Sequence, residues 1–138
     1  MRIAGHDIVL FRTADTTVGA YDDRCALLPD EGYAVGWKRN ADCQRLAAAG
    51  YQVIAAPADG FYLDMATTTD WYEPGTCWAG SISAQHIAQY DLDRSWSAAE
   101  KSNAAGIEAC LWTEHVADRA TMRRLLGPRL DGFADVGW

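Results

Sequence analysis

The sequence predicts an α/β fold in which a parallel sheet is covered by helices, and three observations carry that prediction. Short apolar segments recur along the chain, each ending in an aromatic or a turn residue. They are rich in β-branched residues and lack strict polar alternation, the pattern of strands covered on both faces. Helix signals fall between them. With 138 residues, 49% of them apolar, the chain is long enough to bury a core and short enough to be one domain.

Taken in order, the predicted strands are Thr16–Tyr21 (TTVGAY), Gly32–Trp37 (GYAVGW), Gln52–Pro57 (QVIAAP) and Gly106–Trp112 (GIEACLW). Short helices are expected near the N-terminus and over Asp22–Leu28. Asn40 is placed as the cap of a helix over Ala41–Ala49, and Gly50 supplies its left-handed stop. The long stretch Ala58–Ala105 is the irregular part, and a connection of that length is either functional or carries small helices of its own. Tyr62, Trp71, Tyr72, Trp78 and Trp96 make it no solvated linker. A last helix runs from the cap Asp118 along the stripe Met122, Leu125, Leu126, Leu130, Phe133 and Ala134, with a kink or break expected at Gly127-Pro128. Arg119, Arg123, Arg124 and Arg129 are read as its solvated face.

Composition excludes several functions. Twelve Lys and Arg stand against nineteen Asp and Glu, a formal charge of −7, so nucleic acid, anionic membranes and acidic polymers are poor partners. No run approaches the roughly 18 to 20 apolar residues of a membrane helix, and the charged start Met1–Asp7 reads as no export signal. Cys25, Cys43, Cys77 and Cys110 fit neither a metal knuckle nor a dense disulfide framework and are read as mostly reduced, buried thiols. His6, His86 and His115 share no ligand spacing, and no nucleophile elbow or phosphate-cradling glycine run is present. No metal and no other cofactor is expected.

What remains is an arrangement seen twice. Tyr62-Leu63-Asp64 and Trp112-Thr113-Glu114 each present an aromatic, a spacer and a carboxylate after an apolar strand. In extended chain, residues i and i+2 share a side. Each segment then offers a flat apolar face beside a hydrogen-bond acceptor at the C-terminal rim of the sheet, where α/β sites lie. That chemistry suits a pyranose ring, apolar on its C–H faces and rimmed with hydroxyls. Trp37 ends the second strand at the same rim, and Trp78 lies in the long connection.

Read in order from about Thr16, these segments resemble the C-terminal half of the catalytic barrel of glycoside hydrolase family 20, the β-N-acetylhexosaminidases. The resemblance is carried by Gly50–Ile54 leading to Tyr62–Met65, by Trp71–Gly75 followed by Trp78-Ala79-Gly80, by Gly106–Glu114, and by Pro128-Arg129-Leu130 followed by Asp135–Trp138. It implies a partial TIM (β/α)8 barrel over 1–138, approximately strands five to eight with their helices, as one partial catalytic-barrel domain. A whole barrel takes about 250 residues.

The resemblance also implies roles. Trp37, Trp78 and Trp112 match tryptophans that wall the pocket for the N-acetyl group and sugar ring. Tyr62 matches the tyrosine that hydrogen-bonds the acetamido oxygen, and Asp64 and Glu114 match carboxylates that hold the outer hydroxyls near O4 and O6. Tyr21 stands where the family usually has a tryptophan. In the family, the substrate's own acetamido oxygen attacks the anomeric carbon while a Glu protonates the leaving group and an adjacent Asp orients the acetamide. Nothing in Met1–Asp15 matches that Asp-Glu pair, so this chain holds no catalytic residue of its own and is expected to be inactive alone. The expected partners are N-acetylhexosamine-containing glycans, with open sheet edges inviting self-association or a missing N-terminal half. Two other readings stay open: a non-catalytic carbohydrate-binding half-barrel, and a structural half-barrel that pairs with a partner chain.

Overall fold

The computed structural model describes residues 33–137. In chain order these form β1 (Tyr33–Gly36), α1 (Asn40–Ala48), β2 (Gln52–Ala55), α2 (Ala58–Phe61), α3 (Ala84–Ala88), α4 (Ala98–Ser102), β3 (Ala104–Ile107) and α5 (Arg119–Gly137). The strand expected over Thr16–Tyr21, the helix over Asp22–Leu28, the helix near the N-terminus, and with them His6 and Cys25, lie outside the described residues. The described residues divide into two compact units: 33–57 with Leu92–Ile107, and Ala58–Asp91 with 108–137.

The first unit is α/β, as expected. Its three strands form a parallel sheet in the order β1-β2-β3, with Ala34 opposite Val53 and Val35 opposite Ile54. The β2–β3 register slips between Val53 and Ile54. Helix α1 connects β1 to β2 and buries Cys43, Leu46 and Ala47 with Ala34, Val53, Ala55 and Trp96. This parallel pairing across a helical connection is what the unalternating apolar segments called for. Gly50 closes α1 at φ 91°, the left-handed stop that glycine adopts without steric cost.

Two details of this unit differ from expectation. The residue before α1 is Arg39, and no side chain caps the helix. Asn40 is committed elsewhere: its Nδ2 donates to Leu92 O at 2.6 Å, and its Oδ1 accepts from Trp96 Nε1 at 2.9 Å. A carboxamide that ties the distant segment 92–96 to the start of α1 is unavailable to its own helix terminus. The last strand also begins and ends early, at Ala104–Ile107 rather than Gly106–Trp112. It is prepared by α4, whose Ser97 and Glu100 form a reciprocal capping box.

Gly36 is required by contact. A β-carbon there would lie 2.7 Å from Cys43 Sγ and 2.8 Å from Cys43 Cα, because α1 sits directly on the end of β1. Gly36→Ala is therefore expected to cost roughly 1 to 3 kcal/mol as an overpacking change. Urea unfolding followed by the Trp96 indole signal checks this, and an unchanged midpoint would show that α1 can shift freely.

The second unit is mostly helical and loop. Helix α2 follows Pro57, and Phe61 packs against Tyr90 and Phe133 at ring separations of 5.1 and 5.2 Å. Helix α5 spans 19 residues and opens where predicted, with Asp118 Oδ1 accepting from Thr121 N at 2.7 Å. It does not break at Gly127-Pro128, since Pro128 lies inside a continuous helix. The lost backbone donor is outweighed by packing on both sides of it, at buried Leu125 and at Gly132. A β-carbon on Gly132 would come within 2.9 Å of Ala84 O on α3. The stretch Ala58–Ala105 carries three short helices, α2, α3 and α4, one of the two outcomes foreseen for it.

Candidate functional site

The second unit brings Tyr62, Asp64, Trp78, Trp112 and Glu114 into one cluster, and backbone pairing accounts for it. Beyond α2 the chain turns over Tyr62–Met65, with Met65 N donating to Tyr62 O at 3.3 Å, rather than running extended as expected, and this turn lies beside the segment that follows β3. Tyr62 pairs with Cys110 in parallel, Cys110 N donates to Phe61 O at 3.1 Å, and Leu63 N donates to Cys110 O at 2.7 Å. The two aromatic-x-carboxylate segments therefore lie side by side. Trp112, however, stands five residues beyond the end of β3 rather than at the end of a strand.

Tyr62 is the centre of an aromatic group. Its ring lies 6.0 Å from that of Trp78, edge to face at 86°, and 6.1 Å from that of Trp112, tilted at 55°. Such geometries suit the ring quadrupoles. Tyr62 is buried, while Trp78 and Trp112 are each 51% exposed, so the two tryptophans show faces to solvent over a tyrosine floor. Burial, followed by the charge of Cys110, pushes the Tyr62 pKa well above its ordinary value.

Asp64 supplies the acceptor. It is only 3% exposed, and the backbone N–H groups of Asp64 itself and of Trp112 ease its ionisation. Its Oδ1 is buried and has no hydrogen-bond partner. Burial is the main cause that raises its pKa, Glu114 adds to the rise, and Arg129 opposes it. Glu114 itself is exposed. Beside the cluster, burial and then Glu108 push the Cys110 thiol up to about 12, which keeps it protonated and unreactive at neutral pH. The cysteines thus divide: Cys43 is buried, Cys110 half-buried, and Cys77 exposed, against the expectation of burial.

Trp37 belongs to the first unit, just past β1, half-buried, with Lys38 Nζ 5.8 Å from the centre of its ring. His86 Nε2 lies 2.7 Å from Asp59 O. Among the described residues no group of three or more His, Cys, Asp or Glu could hold a metal ion, and no helix is long and apolar enough to cross a membrane.

The largest correction concerns Arg129, read from sequence as solvated. It is 1% exposed. Its Nε donates to Leu125 O at 2.6 Å, and its Nη1 to Met65 O at 2.7 Å and Ile82 O at 3.1 Å, while Nη2 is buried without a partner. Burial holds its pKa below the usual guanidinium value. The signal was present, because Arg129 lies four residues from both Leu125 and Phe133 on the apolar stripe. Glu73 is held from two sides. Thr67 Oγ1 donates to its Oε1 at 2.5 Å and Arg124 Nη2 to its Oε2 at 2.6 Å. Thr67 first, then Arg124, hold its carboxyl below the ordinary range.

Comparison with known proteins finds similarity along most of the chain. The family model for the glycosyl hydrolase family 20 catalytic domain matches residues 14–138. A β-N-acetylhexosaminidase of Cellulomonas fimi is 30% identical over 144 residues, covering 99% of this chain and 28% of that protein. The Streptomyces coelicolor A3(2) GH20 β-N-acetylhexosaminidase structure aligns at TM-score 0.69 and 29% identity, over 88% of this chain and 27% of that one. The Vibrio harveyi GH20 exo β-N-acetylglucosaminidase, solved in complex with N-acetylglucosamine, aligns at TM-score 0.70 and 26% identity, over 77% and 17%. The chain spans less than a third of the length of these relatives.

Proposed function

Since this chain belongs to glycosyl hydrolase family 20, matching its catalytic-domain model over residues 14–138, we propose that the Tyr62 cluster is the sugar-facing wall of a β-N-acetylhexosaminidase site. The observation that carries this is the union of two half-exposed tryptophans on Tyr62 with a buried, unpartnered carboxylate oxygen on Asp64. An orphaned acceptor of that kind is costly, and a sugar hydroxyl satisfies it. In this reading Trp78 and Trp112 wall the N-acetyl group and ring. Trp37, in the first unit, is the third tryptophan that the resemblance matches to such a wall.

The remaining roles follow from the chemistry of each group. The Tyr62 phenol, kept protonated, donates to the acetamido oxygen of terminal β-linked N-acetylglucosamine or N-acetylgalactosamine. Asp64 and Glu114 accept from the outer hydroxyls. Hydrolysis by substrate-assisted retention further requires an acid and an acetamide-orienting carboxylate, which residues 1–138 do not match. The three parallel strands then correspond to later strands of the barrel, and the chain alone binds sugar weakly and turns over nothing. Loss of general acid catalysis alone removes typically 10² to 10⁴ in rate.

The test is a titration of isotope-labelled protein with the thiazoline derived from N-acetylglucosamine, a mimic of the cyclised intermediate, read by amide and indole N–H spectra. Shifts at the indoles of Trp78 and Trp112 are expected. Dispersed spectra that do not respond to the thiazoline would overturn the reading.

A further inference from the structure

The segment between Met65 and Ile82 is a loop with almost no regular structure that nonetheless carries Trp78 to the edge of Tyr62. Its backbone closes on itself at the neck, where Ile82 N donates to Ala66 O at 2.8 Å and Ala66 N to Thr76 O at 2.7 Å. Thr76 N donates to the backbone carbonyl of Asp64 at 2.9 Å, so the loop returns to the main chain of the residue that supplies the acceptor. That return needs Gly75, at φ 115°, where a β-carbon would lie 2.5 Å from Asp64 O.

Two arginines of one helix hold this loop at two separate places. Arg129 reaches the carbonyls of Met65 and Ile82, the residues that flank the loop. Arg124 reaches Glu73 in its far turn. The Arg124 side chain is 58% exposed but that of Glu73 only 4%, and its other oxygen is taken by Thr67. The pair is thus anchored on the loop side, and differs from the exposed ion pairs that contribute little.

We infer that α5 is the positioning element of the aromatic wall: Arg129 closes the neck of the 66–81 loop and Arg124 latches its far turn through Glu73, so that Trp78 is held at the edge of Tyr62. Neither arginine touches sugar in this scheme. Both act through the loop, and the consequence for ligand affinity rests on the reading of Trp78 given above.

The experiment uses the whole 138-residue chain, with Arg124→Met, Arg124→Lys and Glu73→Gln beside wild type. Arg124 is chosen because its exposure lets the variant fold. In ligand-free Arg124→Met and Glu73→Gln the Trp78 indole signal moves, and amide exchange at Thr76 and Ile82 rises about 3- to 10-fold. The indole signal of Trp96, in the other unit, stays in place, and thiazoline dissociation constants rise by a similar factor. Arg124→Lys, which keeps a cation, recovers most of both effects. An unmoved Trp78 signal and unchanged exchange in Arg124→Met would overturn the inference, as would an equal shift at Trp96, which marks general loosening. If no variant and no wild type binds the thiazoline, the sugar reading fails, and the ligand-free signals still decide the latch.

Discussion

Arg129→Met is expected to lower the stability of the second unit by about 3 kcal/mol, the largest single-residue effect in the described chain. Three carbonyl oxygens, on Leu125, Met65 and Ile82, take donors from one guanidinium, and hydrogen bonds from a charged donor contribute about 1.5 to 3 kcal/mol each. Against that stands the cost of burying the charge, visible in the unpartnered Nη2 and the lowered pKa. The sum favours the native arginine because methionine leaves Met65 O and Ile82 O in a dry interior without a donor. A lysine has one nitrogen where the guanidinium uses two, and recovers part of the loss. Urea unfolding read at Trp78 and Trp112 measures it. A loss under about 1 kcal/mol would mean that the neck of the loop closes without the arginine.

Asp64→Asn is expected to separate stability from binding. The native carboxyl has a pKa raised chiefly by burial, so its ionised form is disfavoured in the folded chain. A raised folded pKa contributes stability at low pH that is lost as pH rises through it. At pH 7 wild type therefore carries an uncompensated cost that the amide avoids, and the variant is at least as stable there. Its advantage shrinks as pH falls toward the raised pKa. Binding moves the other way: exchanging a charged acceptor for a neutral one is expected to weaken thiazoline affinity about 10- to 100-fold. Wild-type affinity falls as pH drops through the raised Asp64 pKa, and that dependence is absent in the variant. Parallel melting and titration series from pH 4 to 7 check both halves, and a variant less stable than wild type at pH 7 would contradict the account.

The parts of the fold that were legible in the sequence are those set by local chemistry. Gly50 stops α1, Asp118 opens α5, and the unalternating apolar segments became β1 and β2 within a residue or two of expectation. The candidate site was legible for a similar reason, since two aromatic-x-carboxylate segments repeat one spacing. The failures share a different cause. Asn40 has the right side chain for a cap but serves Leu92 and Trp96, more than fifty residues away. Arg129 has the most hydrophilic head group in the chain, yet a cluster of backbone carbonyls gives it an interior. Pro128 lies in a helix because contacts on either side outweigh one missing donor. For Asn40 and Arg129 a partner distant in sequence overrides a local preference.

The alternation of the two units along the chain bears on the order of synthesis. Residues 33–57 belong to one unit, Ala58–Asp91 to the other, Leu92–Ile107 to the first again, and 108–137 to the second. A ribosome making about 5 to 20 residues per second releases β2 several seconds before its neighbour β3 exists. Arg129 emerges later still, 64 positions after the Met65 carbonyl it secures. Neither unit can be completed while the other is still unmade, so nascent chains pass through a period in which half a sheet and an unfastened tryptophan loop are both present. Chaperone capture during translation should therefore concentrate on chains that have not yet reached residue 107.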